Sequence, residues 1–205
     1  MKRIPLIPSF VLALLAAGVV VVLAAQPGSN PPDFLTGLTG ADEVPLRVTD
    51  ATGNAKFQIN DAGTAIDYTL KVETINNVVA AHIHLAPKGV NGPIVAFLFG
   101  TAPAGGGPVE GTLATGTITQ ANLIGPLAGQ SLSVLIQAMS TGGTYVNVHT
   151  NDGIVPVDTG PGDFPGGEIR GQIKGNGNAR VFQPAEPIEP TPGEEPISVQ
   201  EVPCH

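Results

Sequence analysis

The chain carries four histidines, and two of them stand two residues apart in an apolar segment. His82 and His84 lie in the segment 78–85 (VVAAHIHL), which is followed by a turn rich in Gly, Pro and Asn and by a second apolar run, 94–99. This order predicts two strands joined by a tight turn. Because successive side chains point to opposite faces of a strand, the two imidazoles share one face.

A third histidine, His149, lies in another strand-like segment, 145–150 (YVNVHT). If the two strands lie near each other, three imidazoles could converge, with Glu168 close by as a further ligand. Neutral imidazole nitrogens suit copper and zinc, and a β scaffold would hold such ligands rigidly. The pattern therefore indicates a metal site at His82, His84 and His149, with copper or zinc as the candidate cofactor.

The same residues also fit a purely structural role. Asn147, Glu168, Arg170 and Gln172 accompany the histidines on predicted strands. Together they could form a buried polar network, in which each group is satisfied by a neighbour and a Glu168–Arg170 ion pair closes the set. Such a network would specify strand register without chemistry, so both interpretations stay open at this point.

Residue types that commonly carry catalysis are poorly represented. The nucleophile motif GxSxG is absent, and the single cysteine, Cys204, stands one residue from the C-terminus. No pair of carboxylates is placed together by its spacing. Asp42 and Glu43 could bind calcium with loop carbonyl groups around Asp152, Asp158 and Asp163, but these aspartates lack the regular spacing of a calcium loop. The sequence therefore favours a protein that is not an enzyme, without deciding the matter.

Composition predicts an all-β domain. The 205 residues include 27 Gly and 20 Pro but no Trp, which favours many short strands joined by turns. This length suits one domain with a substantial core. The formal net charge of −8 argues against a nucleic-acid partner, because phosphate binding needs clustered Lys and Arg.

The two ends of the chain differ from its middle. Residues 1–25 begin with two basic residues and continue into an apolar run, which is typical of a secretory signal peptide. A secreted, periplasmic or cell-surface protein is therefore expected, and a membrane association only if this segment is retained as an anchor. Residues 26–32 (QPGSNPP) are predicted to be a linker. Residues 183–205 are predicted to be a disordered, Pro- and Glu-rich tail.

The spacing of apolar residues predicts a β-hairpin and a short helix most clearly. The segment 66–73 alternates apolar and polar residues without exception and should pair with 55–59 through the turn 60–63 as a hairpin. Within 131–140 the period changes, since Leu132, Leu135, Ile136 and Met139 recur at helical spacing. One short helix is therefore expected, ended by two glycines.

Four motifs, in order, resemble the CHRD domain, which is named for its repeats in chordin and also occurs singly in secreted bacterial and archaeal proteins. The motifs are LTGADEVP (38–45), AHIHLAPKGVNGPIV (81–95), YVNVHT (145–150) and PGGEIRGQI (165–173). We assign residues 33–182 to this domain. The resemblance implies an antiparallel β-sandwich of the immunoglobulin-like or superoxide-dismutase-like kind.

The resemblance constrains function less than fold. In chordin, growth-factor binding is mainly credited to cysteine-rich modules, which a chain with one cysteine lacks. The His-x-His pair is also similar to part of the copper site of Cu/Zn superoxide dismutase, but the histidines and aspartate for a second metal are missing. We therefore predict an exported, non-enzymatic binding or structural module for a protein or glycan partner. The alternative is a copper or zinc protein, with redox or dismutase-like activity as its furthest extension.

Overall fold

The computed structural model describes residues 32–177, which form antiparallel β-strands and one short α-helix. The helix, α1, spans Leu132–Ser140. The strands are β1 (Phe34–Thr39), β2 (Thr52–Ile59), β3 (Ala65–Asn76), β4 (Val78–Leu85), β5 (Ile94–Phe99), β6 (Pro108–Thr119), β7 (Thr144–Thr150), β8 (Ile169–Gln172) and β9 (Lys174–Gly175). The predicted all-β class with one short helix is confirmed.

The strands form one nearly closed sheet in the order β5-β4-β7-β8-β1-β2-β3-β6, with β9 beside β1. The two ends of the sheet approach each other. The Tyr68 hydroxyl on β3 donates a hydrogen bond to the carbonyl oxygen of Leu98 on β5, at 2.6 Å. The N–H of Ile124, after β6, donates to the carbonyl oxygen of Val95 on β5, at 2.9 Å. The sheet thus folds over on itself as in a sandwich, and its inner face encloses the core.

The hairpin predicted from strict alternation is confirmed as β2 and β3, whose last pair is Ile59 with Ile66. The connecting turn is built by Asn60, whose side-chain oxygen accepts a hydrogen bond from the backbone N–H of Thr64 at 2.8 Å. Gly63 adopts a φ of 69°, which a glycine reaches without a steric cost. Local residue chemistry is therefore sufficient to define this pair of strands.

The short helix is confirmed as well. Ser131 is its N-cap, and its hydroxyl oxygen accepts a hydrogen bond from the backbone N–H of Ser133. The helix ends at the predicted glycines, where Gly142 has a φ of 69°. The residues at helical spacing are all buried against the sheet: Leu132, Leu135, Ile136 and Met139.

The inner face of the sheet is apolar, and burial of each large side chain contributes about 1.5–3 kcal/mol. It includes Phe34, Leu38, Phe57, Leu70, Ile83, Val146, Val148 and Ile169. The opposite face of β4, β7 and β8 is polar, yet it is buried too, because the loops 43–47, 86–93 and 159–168 lie over it. This second buried layer contains the histidines.

Three predictions fall on residues outside the described range: the signal peptide at 1–25, most of the linker at 26–32, and the tail at 183–205. Within residues 32–177, no helix has the length and apolar character needed to cross a membrane.

Candidate metal centre

Two neighbouring strands position the histidines. In the antiparallel pairing of β4 with β7, His82 lies opposite Asn147 and His149 lies opposite Ala80. Side chains of such cross-strand partners share a face, so His82, His84 and His149 all project into the polar layer. The residue opposite His149, Ala80, contributes only a methyl group to this face.

The opposite edge of β4 is irregular at both histidines. The pairing of β4 with β5 shifts register between Ala81 and His82 and again between Ile83 and His84. Such bulges bend a strand locally and change the direction of its side chains. In β4 these bulges occur at His82 and His84, the two residues whose rings join that of His149 in the cluster.

The three imidazoles form a compact cluster. The ring centroid of His82 lies 4.9 Å from that of His149 and 5.6 Å from that of His84, and the His84 and His149 centroids are 5.9 Å apart. One ring nitrogen from each residue lies within 4.8 Å of the other two. Nitrogens bonded to one ion at about 2.0–2.1 Å would be about 3.4–3.6 Å apart. The rings would therefore have to close by about 1 Å to hold one ion, a movement within reach of side-chain rotation.

Backbone carbonyl groups orient two of the rings. His84 Nδ1 lies 2.9 Å from the carbonyl oxygen of Gly92, and His149 Nδ1 lies 2.9 Å from that of Pro165. Because a carbonyl oxygen only accepts hydrogen bonds, Nδ1 of each ring carries the hydrogen, which leaves a lone pair on Nε2. Histidines that bind metals are commonly held in this way.

Three buried ring nitrogens, one in each histidine, have no hydrogen-bond partner among the described residues. These buried atoms are Nε2 of His84, Nε2 of His149 and Nδ1 of His82. Buried polar atoms are normally paired, so three unpaired nitrogens in one cluster call for an explanation. A shared cation would satisfy all three at once.

Burial also keeps the rings neutral. It is the largest cause that lowers the pKa of His82 to about 3 and that of His84 to about 4, and it lowers the pKa of His149 as well. The neighbouring imidazoles contribute in the same direction to His82 and His84. All three residues therefore present unprotonated nitrogens at neutral pH, as metal binding requires.

Tyr145 connects the cluster to a buried arginine. The ring of Tyr145 stacks on that of His84 at 4.8 Å between centroids, and the guanidinium carbon of Arg170 lies 3.4 Å from the Tyr145 centroid. Arg170 donates hydrogen bonds to Asn91 Oδ1 at 2.9 Å and to the carbonyl oxygen of Val90 at 2.8 Å. Arg170 thereby anchors the loop that supplies the Gly92 carbonyl.

Glu43 is an ionisable acid in the same layer. Asn147 Nδ2 donates a hydrogen bond to Glu43 Oε2 at 3.4 Å. Burial raises the pKa of Glu43 to about 7, against the opposing effects of Arg170 and Arg47. A Cβ on Gly167 would collide with both Asn147 and Glu43, so only glycine fits there. The polar layer therefore contains a carboxyl group that changes its charge near neutral pH.

The predicted role of Glu168 is not supported by its contacts. Its carboxylate accepts hydrogen bonds from the hydroxyl groups of Thr49 and Thr150, at 2.6 and 2.7 Å, and from the N–H of Gly162 at 2.8 Å. It is not part of the metal-capable group. The predicted Glu168–Arg170 ion pair is wrong, because Glu168 precedes β8 and its carboxylate turns towards Thr150.

The other members of the predicted network are buried or partly buried. Asn147 and Arg170 lie in the polar layer, and Gln172 Nε2 donates to the carbonyl oxygens of Ala86 and Gly142 at 3.0 and 2.7 Å. Within residues 32–177, the three histidines are the only group of His, Cys, Asp and Glu side chains with metal-holding geometry. The irregular acidic set considered for calcium does not form such a group.

Several neighbours of the cluster have no signal in the sequence. Phe97 on β5 packs edge-on against His82, at 4.6 Å between ring centroids. Alternation along β5 would indicate this contact once the strand register is known. The sequence gives no signal for the roles of the Gly92 and Pro165 carbonyl groups, since every residue carries a carbonyl group.

Comparison with known proteins identifies the family of this domain. The family model described as the CHRD domain matches residues 34–173, from the start of β1 to the residue after β8. The three histidines and Arg170 all lie within this match. No match was found among curated proteins or among solved structures.

Proposed function

Because this chain belongs to the CHRD domain family, we propose that it is a non-enzymatic binding module in which His82, His84 and His149 hold one copper or zinc ion. The family supports a binding role, and the histidine cluster supports a metal as the ligand. The predicted protein or glycan partner is not required by this proposal and stays a prediction.

One observation carries the proposal: the three imidazoles lie together, and each has a buried ring nitrogen without a hydrogen-bond partner among the described residues. A structural polar network would instead pair these atoms with one another or with neighbouring donors. Neutral imidazoles cannot all pair here, because Nδ1 of His84 and Nδ1 of His149 already use their hydrogens on carbonyl groups. Metal binding accounts for the lone pairs that this arrangement leaves over.

Export is the second part of the proposal. Two basic residues followed by an apolar run support a secretory signal at residues 1–25. An exported domain without a disulfide framework gains stability from any ion that binds only its folded state. Metal binding and export are thus compatible roles for one domain.

Titration calorimetry with Zn(II) and with Cu(II), beside elemental analysis of the purified full chain, tests the proposal. We expect one ion per chain, and loss of this binding in the His82→Ala/His84→Ala double variant. The control is the double variant Val48→Ala/Ile154→Ala, which truncates two exposed side chains and should leave binding intact.

Circular dichroism of each variant separates loss of ligands from loss of fold. Absence of stoichiometric binding of zinc, and of copper in either oxidation state, by the wild-type chain would refute the metal role. Equal binding by the wild-type chain and a folded double variant would place the ion elsewhere and would refute it too.

A further inference from the structure

We infer that the histidine cluster selects monovalent copper, Cu(I), over divalent zinc and copper. This inference rests on the proposed metal role and specifies the ion. Ligand type does not make the distinction, because imidazole suits several transition metals. Shielding from water, the number of ligands and the surrounding charge make it instead.

The first argument is shielding from water. The unpaired nitrogens of His82, His84 and His149 have essentially no solvent-exposed surface. Phe97 lies edge-on against His82 at 4.6 Å between ring centroids and covers one side of the cluster. An ion bound there would have no ready access to a water molecule as an additional ligand.

The second argument is the number of ligands. Within residues 32–177 the metal-capable group has three members. Zinc in proteins is almost always four-coordinate, with water in the fourth position where three side chains bind it. Divalent copper prefers tetragonal sites with four or more ligands. Cu(I) has a filled d shell and is stable with three nitrogens in a plane, so it alone is fully coordinated by this cluster.

The third argument is charge. The carboxylate of Glu43 contacts Asn147 and that of Glu168 contacts threonine hydroxyls, and neither belongs to the metal-capable group, so the cluster itself supplies no anionic ligand. The nearby charge on the Tyr145 side is the cation Arg170. The cost of moving an ion out of water grows with the square of its charge, so a divalent ion costs about four times as much as a monovalent one.

The test compares affinities of the full chain for three ions in one buffer without oxygen. Cu(I) is supplied as its bicinchoninate complex and followed by the loss of that complex's colour, and Zn(II) and Cu(II) are titrated by calorimetry. We expect one Cu(I) per chain, bound at least about 100-fold more tightly than either divalent ion. This order would reverse the usual preference of nitrogen sites for Cu(II).

Two outcomes overturn the inference in different ways. If Zn(II) or Cu(II) binds as tightly as Cu(I), the choice of ion is wrong while the proposed metal role stands. If no ion binds, both are wrong.

The variant Phe97→Ala tests the shielding argument separately, because Phe97 is about half exposed and its loss should leave the fold intact. Without the phenyl ring, water should reach the cluster. The ratio of the Cu(I) affinity to the affinities for Zn(II) and Cu(II) should then fall about tenfold or more. The control is Val48→Ala, at an exposed position in a loop. An unchanged preference in Phe97→Ala would contradict the shielding argument.

Discussion

At the scale of residues, the unusual property of the three histidines is that they are buried, neutral and incompletely hydrogen-bonded at the same time. Period-two alternation was sufficient to predict that His82 and His84 share a face. It could not predict burial of that face, because the covering loops are Gly- and Pro-rich segments whose sequence carries no packing information. Arg170 lies on the same covered face and is buried, held by the carbonyl oxygen of Val90 and by Asn91.

Titration of the histidines should make the metal-free protein less stable in acid. Their pKa values are lowered in the folded state, so the unfolded chain binds protons first as the pH falls below about 6.5. The free energy of unfolding is therefore expected to fall from pH 6.5 towards pH 4, by up to about 1.4 kcal/mol per pH unit for each proton. Urea unfolding in the presence of a chelator measures this slope.

The variant His149→Gln removes one of the titrating rings and should have a shallower slope over this range. The variant Val48→Ala, at an exposed position, should have the slope of the wild type. A wild-type slope no steeper than that of His149→Gln would contradict the buried, neutral state of the cluster.

Glu43 should have the opposite effect. Its pKa is raised from 4.5 to about 7, so the folded state holds the proton more tightly and loses stability as the pH rises through this window. Replacement by an uncharged isostere, Glu43→Gln, removes this loss. The free energy of unfolding of the variant, relative to that of the wild type, should increase by on the order of 1–3 kcal/mol between pH 5 and pH 8.

Urea unfolding at the two pH values checks this, with Glu73→Gln, at an exposed position of β3, as the control for removal of one carboxylate. If the difference in free energy of unfolding between Glu43→Gln and wild type is the same at both pH values, the carboxyl group does not titrate as the structure indicates.

At the scale of elements, the loop between β4 and β5 positions the cluster as much as the strands do. Gly92 supplies the carbonyl group that binds His84 Nδ1, and its N–H donates to the Tyr145 hydroxyl oxygen at 3.1 Å. Turn geometry was predicted for this loop, but the requirement for glycine at 92 is a close approach rather than a positive φ. A Cβ there would collide with the carbonyl oxygen of Leu85.

Substitution of this glycine should weaken metal binding without removing a ligand. In Gly92→Ala the loop must shift, and the orienting hydrogen bond to His84 is lost. The affinity for the bound ion should fall about 10–100-fold, as it does when an outer partner of a ligand is removed. Calorimetry measures this, and the control is Gly106→Ala, at a loop position with free space around the added methyl group. Unchanged affinity in a folded Gly92→Ala would show that the carbonyl group does not orient the ligand.

At the scale of the whole molecule, strand order decides whether a site exists. The sequence predicts the strands, the hairpin of β2 with β3 and the short helix, because these depend on local periodicity. It does not reveal that β7 pairs with β4, since more than 50 residues, which include β5, β6 and α1, separate the two strands along the chain. Convergence of His149 with the other two histidines could therefore be predicted only if β4 and β7 were assumed to be neighbours, and only the fold shows that they are.

Metal binding should stabilise the whole domain if the ion binds only the folded state. At a free-ion concentration of 100 times Kd, this linkage contributes about 2.7 kcal/mol. For a domain of this size the melting temperature should rise by roughly 5–10 °C. Differential scanning calorimetry with and without the ion measures the shift. The His82→Ala/His84→Ala variant should show none, and a rise of equal size in that variant would assign the stabilisation to another site.

Anomalous X-ray diffraction from crystals of the metal-loaded protein, recorded at the absorption edge of the bound ion, shows whether the three histidines hold that ion. We predict one peak inside the domain, at about 2.0–2.1 Å from one ring nitrogen each of His82, His84 and His149. A peak at any other place, or histidine rings that remain apart with no peak between them, would contradict the claim and leave the cluster as part of the protein's packed interior.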